Sequence, residues 1–227
     1  MAIHAQAGPL VFTNTQYTTS AVAVADGQAD YQTASSPPAT LPALASAAVV
    51  GNNDFAASSG LGTAGLLTTT AEVDSAAGPA FATGQSQFIG SFTDSGWVSL
   101  HFDFLTLSSI FGDASAYGSV FVTITNTLGG ATTTLFNDVF TDNVSFDFGS
   151  FIPLGGVTTL DLILVSDIGT SDAGQWGQNF AQVSFYGHVP EPSTWALTLL
   201  GLLAVVLLSR GGLVAGRGFR GMPKPGC

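Results

Sequence analysis

From Trp97 to Phe104 apolar and polar residues alternate one for one. Val98, Leu100, Phe102 and Phe104 fall on one side of an extended chain, and Ser99, His101 and Asp103 fall on the other. A period of two is the signature of a β-strand with one buried face, because successive side chains leave a strand in opposite directions. Ser119 to Thr125 repeats the pattern, with Val120, Val122 and Ile124 inward and Thr123 and Thr125 outward. Phe88–Phe92, Leu135–Phe140, Val144–Phe148, Val157–Val165 and Phe180–Tyr186 follow the same logic, and Asn126-Thr127-Leu128-Gly129-Gly130 reads as a turn. No helical period competes with them over this stretch, and 17 Phe provide bulk for a core. The pattern predicts an all-β fold, an antiparallel β-sandwich, with a jelly-roll as the alternative topology.

The region from Gly8 to Gly90 is harder to read. It is dominated by Ala, Ser, Thr and Gly, and apolar residues such as Val22, Val24, Val49, Val50 and Phe55 recur in it. The clusters Ser35-Ser36-Pro37-Pro38, Leu41-Pro42 and Gly51-Asn52-Asn53-Asp54 mark loops. The expectation here is short, weak strands joined by long turns.

Charge is distributed as unevenly as the apolar pattern is regular. All 15 Asp and Glu lie at or before Glu191, and all 4 basic residues (Arg210, Arg217, Arg220 and Lys224) lie beyond Ser209. With no Lys or Arg before position 210, nothing in the body of the chain can neutralise phosphates, which excludes a nucleic-acid partner. The lone cysteine, Cys227, is the last residue; it can form no internal disulfide and makes no prenylation box, so it reads as an incidental thiol.

The basic residues follow an uncharged apolar run, Trp195 to Leu208. Extended to about residues 193–214, the segment has roughly the 20 residues that a membrane-spanning helix needs. Arg210 could snorkel to one interface, and Trp195 could anchor at the other. The competing reading is a buried core helix, but the Gly-rich basic flank gives such a helix no amphipathic partner. The basic flank belongs on the cytoplasmic side, which places the body of the chain outside, with the C-terminal helix in the inner membrane.

The threshold of this segment, Val189-Pro190-Glu191-Pro192-Ser193-Thr194-Trp195-Ala196-Leu197, followed by the apolar run and Arg210, resembles the PEP-CTERM sorting signal of Gram-negative bacteria. The resemblance covers roughly residues 188–210. It implies recognition of Pro190, Glu191, Pro192, Ser193, Thr194, Trp195 and Arg210 by an exosortase-like processing enzyme. It further implies a protein of the cell surface or matrix in a bacterium that secretes polysaccharide, as in a biofilm. Independently of the family, Pro190 and Pro192 favour an extended chain, the form a processing enzyme takes into its cleft.

Export also calls for an N-terminal signal. Ala5-Gln6-Ala7 before Gly8 has the form of a signal-peptidase site, with Ala5 and Ala7 at its small-residue positions. The expectation is that residues 1–7 are the remnant of a signal peptide, although abundant Ala can supply such a triplet by chance. The organisation expected is therefore a remnant (1–7), an extracytoplasmic sandwich (8–187) and a sorting tail (188–227).

Candidate chemistry in the sandwich is sparse. Gly60-Leu61-Gly62-Thr63-Ala64-Gly65 spells G-x-G-x-x-G, but no apolar strand precedes it in a βαβ context, so it reads as coincidence. His101 and Asp103 share a strand face and could begin a metal site or an acid–base pair, or could simply cover a solvated sheet. Asp138, Asp142, Asp147, Asp161, Asp167 and Asp172 lie near turns in a pattern that fits no EF-hand. No cofactor is expected from these residues, a structural calcium ion being the sole alternative to solvated turns. Trp97 and Trp176, with Tyr186, could stack on sugar rings as carbohydrate contacts, or could be core and edge residues. No nucleophile elbow or catalytic cysteine points to an enzyme, and a secreted hydrolase is the weakest reading.

Overall fold

A computed structural model describes residues 8–36, 43–50, 54–94, 96–189 and 198–203. The chain forms two units. One, Pro9–Val189, is the sandwich. The other comprises Met1–Gly8 and Pro190–Cys227; of its C-terminal part the described residues are a helical stretch at 198–203 with Leu199, Leu200, Leu202 and Leu203 exposed. Among the described residues no helix is long and apolar enough to cross a membrane. The span expected over residues 193–214 lies largely outside them.

The strands are β1 (Gly8–Pro9), β2 (Thr13–Ala25), β3 (Gln28–Ser36), β4 (Ala43–Val50), β5 (Asp54–Thr63), β6 (Leu66–Ser75), β7 (Phe81–Phe92), β8 (Gly96–Phe111), β9 (Ser115–Leu128), β10 (Ala131–Phe140), β11 (Val144–Ile152), β12 (Val157–Gly169) and β13 (Gln175–Val189). They make two antiparallel sheets. The first has the order β11-β8-β13-β6-β5-β4, with β1 on β13, and the second has the order β10-β9-β12-β7-β2-β3. The expected antiparallel sandwich is therefore present.

Strand order also decides between the two topologies. From β6 onward the chain alternates between the sheets, except at the β9–β10 hairpin. This places β6, β13, β8 and β11 side by side in one sheet and β7, β12, β9 and β10 in the other. Eight strands wound in this way are two Greek keys, a jelly roll. The hairpins β2–β3 and β4–β5 extend the two sheets beyond β7 and β6.

The alternations at 97–104 and 119–125 hold as read. Val98, Leu100, Phe102, Val120, Val122 and Ile124 are fully buried, and they join Phe88, Phe92, Leu160, Leu162, Leu164 and Phe185 in one core. The region before Gly90 differs from expectation. Its strands are 8–13 residues long apart from β1, and two of its turns are tight. Asp26-Gly27, with φ of 51° and 73°, joins β2 to β3 as a two-residue turn whose positive φ matches the strand twist, and Ala64-Gly65 joins β5 to β6. The expected turn at 126–130 contracts to Gly129-Gly130, because Asn126 to Leu128 pair with β10. Of the expected loops, Ser35 and Ser36 belong instead to β3 and Asp54 to β5, where they pair with β2 and β6, and residues 37–42 and 51–53 lie outside the described residues.

Alanine explains the discrepancy. In β2 the inward positions are Ala21, Ala23 and Ala25, while the larger Val22 and Val24 face outward. β4 likewise buries Ala43, Ala45 and Ala47. Hydrophobicity scarcely contrasts between the faces, so the period of two is muted although the backbone is fully strand. Ala43 joins the first core, and the other five of these alanines, with Ala56, Ala71, Val73, Ala82 and Ile168, form a second one. The sheets close in until backbone meets backbone: a methyl on Gly84 would lie 2.5 Å from the Ser59 carbonyl oxygen and 2.7 Å from that of Thr70. Facing sheets ordinarily stand about 10 Å apart, a gap that side chains fill.

Candidate functional site

β8 lies between β11 and β13, and the register brings their outward residues together. His101 pairs with Asp147 on one side and Tyr186 on the other, Asp103 with Ser145 and Ser184, and Trp97 with Phe151. Because Leu100, Phe102 and Phe104 must point into the core, His101 and Asp103 are forced onto the outer face. Sequence spacing thus placed His101 beside Asp103, but the partnership with Asp147 came from strand register across 46 residues.

His101 Nδ1 lies 2.8 Å from Asp147 Oδ1, and Nε2 lies 3.1 Å from Asp103 Oδ2. The imidazole is clamped between two carboxylates and packs at a tilt of 31° against Tyr186, with ring centroids 4.8 Å apart. The hydrogen bond to Asp147 raises its pKa, partial desolvation opposes the rise, and Asp103 reinforces it. Asp103 is held below the usual carboxylate range, chiefly by the Ser145 hydroxyl and then by His101.

Ser145, His101 and Asp147 share the connectivity of a nucleophilic triad, but the chemistry is wrong. Ser145 Oγ is 3.5 Å from Nε2, whereas Asp103 occupies that nitrogen at 3.1 Å. With both ring nitrogens facing carboxylates, neither is free to take a proton from serine. Strand N–H groups also lie in the plane of the sheet, so none points up at a carbonyl that Ser145 would attack.

Around this clamp the face is aromatic. Trp97 is 43% exposed, Tyr186 58% and Phe151 68%. The indole of Trp97 lies over Gly149, where an added Cβ would be 2.8 Å from its Cζ2, so the ring rests against the strand. Asp147, Asp103, Ser99 and His188 supply polar groups between and beside the rings. The arrangement offers apolar planes with hydrogen-bonding groups at their edges.

Trp176 does not belong to this face patch. It pairs with Phe111 and Asp74 and is partly buried. Ten residues of β13 separate it from Tyr186, roughly 33 Å along an extended strand. The structure therefore separates the two tryptophans. The sorting residues Pro190, Glu191, Pro192, Ser193, Thr194, Trp195 and Arg210, and the signal-site residues Ala5 and Ala7, lie outside the described residues.

The scattered acids do not converge either. Asp138 accepts from the Val139 amide, Asp161 from Gln87 and Asp172 from Ser171. Among the described residues no three His, Cys, Asp or Glu side chains are grouped to hold a metal ion. The G-x-G-x-x-G segment is the end of β5 and the following turn, with Gly62 packed on Tyr17 rather than cradling a phosphate.

A second concavity of about 620 Å³ opens at one end of the sandwich, walled by Leu10, Phe12, Tyr17, Phe88, Phe185 and Tyr186. Burial raises the Tyr17 pKa, with a hydrogen bond from Gly65 opposing. Its walls are mostly apolar, and the Tyr17 and Tyr186 phenols and the Thr15 and Thr63 hydroxyls are its polar side-chain groups.

No protein-family model and no curated protein matches the chain. Two solved structures overlap it weakly. One, of the infectious bursal disease virus Gx strain, is 9% identical over 94% of this chain and 75% of its own, with a TM-score of 0.16. The other, of the Gt strain of the same virus, is 9% identical over 82% of this chain and 66% of its own, with a TM-score of 0.14. Superpositions this poor carry no argument about fold or function.

Proposed function

We propose that this is an exported surface or matrix protein, without enzymatic activity, whose sandwich binds extracellular polysaccharide through the Trp97–Tyr186–Phe151 face. The observation that carries the binding role is three exposed rings on one flat sheet face, interleaved with the His101–Asp147 pair. Sugar rings present C–H faces that stack on aromatic planes and hydroxyls that hydrogen-bond to carboxylates and imidazole. An exopolysaccharide pull-down tests it: Trp97→Ala and Tyr186→Ala should each release the protein, and Trp176→Ala should not. Equal retention of all three variants would sink the reading.

The location rests on separate support: the Pro190-Glu191-Pro192 threshold, the apolar run and the segregation of every Lys and Arg beyond Ser209. In this reading an exosortase-like enzyme processes the tail, and the C-terminal helix at about 193–214 anchors the protein in the inner membrane until then. Mass spectrometry of the mature protein should find a C-terminus near Pro192. An intact Cys227 end in cells with an active processing enzyme would refute it.

A further inference from the structure

The polar groups among the rings of the aromatic face carry net charge of one sign. Asp147 and Asp103 each engage His101 through one oxygen, at 2.8 and 3.1 Å, and their side chains stay 71% and 52% exposed. With His101 protonated the clamp carries −1, and with His101 neutral it carries −2. It is negative in either state. Both ring nitrogens point at carboxylates, so the imidazole turns no donor toward an incoming anion.

The body of the chain reinforces that sign. Up to Ser209 it holds 15 Asp and Glu against no Lys or Arg, formally −15 with His neutral. Among the described residues His188, opposite Ser99, is the other imidazole on this face. A glycan bearing carboxylates or sulfates would meet no fixed cation there and a field that repels it. The rings add the same preference, because the faces of Trp97 and Tyr186 are negative and attract cations.

We propose that the Trp97–Tyr186–Phe151 face selects polysaccharide carrying protonated amino groups, such as a de-N-acetylated hexosamine polymer, with Asp147 and Asp103 receiving the ammonium. This rests on the proposed binding of polysaccharide by the same face. An ammonium donates three hydrogen bonds, and a carboxylate accepts at about four lone-pair positions. His101 takes one from each carboxylate and Ser145 a second from Asp103, which leaves acceptors for the ligand beside the rings on which its sugars stack. An ammonium–carboxylate pair that stays in contact with water adds up to about fivefold in affinity. A cation over a ring adds a similar factor.

The test is calorimetry on the full chain with three short oligosaccharides of equal length: a glucosamine oligomer, its N-acetylated counterpart and an oligouronate. EDTA keeps divalent ions from bridging carboxylates, and about pH 6 keeps the amines protonated. The glucosamine oligomer should bind about five- to tenfold tighter than the N-acetylated one, by a margin that shrinks as salt rises, and the oligouronate should bind weakest. Asp147→Asn keeps an oxygen for the His101 Nδ1–H and removes the charge. It should lower the affinity for the glucosamine oligomer toward that for the N-acetylated one and leave the latter unchanged, and Asp103→Asn should do the same. Asp138→Asn, on β10 of the other sheet, removes an equal charge from the body and should leave the ratio intact. An equal fall in Asp138→Asn would assign the preference to net charge and overturn the proposal. So would an oligouronate bound as tightly as the glucosamine oligomer, no advantage for the amine, or binding of none of the three. Each of those leaves the underlying reading to its own test, which fails only if retention on exopolysaccharide survives Trp97→Ala and Tyr186→Ala.

Discussion

Between β8 and β11 on one side and β10 on the other the two sheets are held apart by rings. Phe102 stacks on Phe146 at 4.9 Å, and Phe136 and Phe140 pack on the same ring at 5.7 and 4.6 Å. Toward β2 and β5 they are separated by methyl groups, with Ala21, Ala23, Ala45, Ala47, Ala56 and Ala71 interleaved. The first region gains stability from large apolar area. The second gains from closeness: where Gly84 and Gly60 meet facing carbonyls, the layers touch with little area per residue but high density. Polar side chains serve the thin region too. Ser58 Oγ donates to Val22 O at 2.9 Å and Ser86 Oγ to Thr68 O at 3.0 Å, so short hydroxyls link one sheet to the other.

The two regions should fail differently. Phe102→Ala leaves a cavity in the thick core and should cost about 3–5 kcal/mol, read from denaturant unfolding. Gly84→Ala should cost about 1–3 kcal/mol by overpacking, because its methyl meets backbone rather than a side chain that can swing away. A Gly84→Ala variant as stable as wild type would break the comparison, since it would mean that the thin region yields freely. Ala71→Gly removes one buried methyl and adds chain freedom, for about 1–2 kcal/mol. If that loss exceeds the loss from Gly84→Ala, closeness matters less than buried area in the alanine region.

The smallest expected effect belongs to the His101 clamp on the outer face. His101 has a raised pKa, so its contribution is complete below about pH 6.5 and is lost as pH rises through the folded value. Asp103 has a lowered pKa, so its contribution is present above about pH 4 and is lost as pH falls through the folded value. The clamp therefore stabilises most between about pH 4 and 6.5. The Tm difference between wild type and His101→Gln should shrink from pH 5.5 to pH 8; a difference that grows over that range would reverse the assignment.

The residues themselves show how far sequence reading reached. Val98, Leu100, Phe102 and Phe104 alternate with polar neighbours of very different hydrophobicity, so both the strand and its buried face were readable. Ala21, Ala23 and Ala25 alternate with Val22 and Val24, and the contrast runs the wrong way. The strand was therefore hidden until the opposing sheet showed why small side chains had to point inward. The site followed the same division. His101 with Asp103 was a local pair and legible, and Trp97 and Tyr186 were marked as aromatic candidates. Asp147, Ser145 and Phe151 reached that face through a register that no local pattern encodes. Trp176 was grouped with Trp97 by residue type, and the length of β13 separated them. Asp54 looked like a loop residue after Asn52-Asn53, and its burial depended on the 76–80 connection, whose amides it accepts.

By itself the sequence determined that the chain is built of antiparallel strands, because a period of two admits no other regular structure. It also determined where its charges segregate, since all four basic residues follow Ser209. Tertiary structure alone decided that the sandwich is a jelly roll, that the smaller of its two cores is mostly alanine packed at backbone distance, and which side chains share a face. The physical reason is that strand pairing and sheet stacking join residues far apart in the chain, as Ser184 with Leu66 and Asp147 with His101. Those joinings are set by how whole faces fit rather than by any neighbour along the chain.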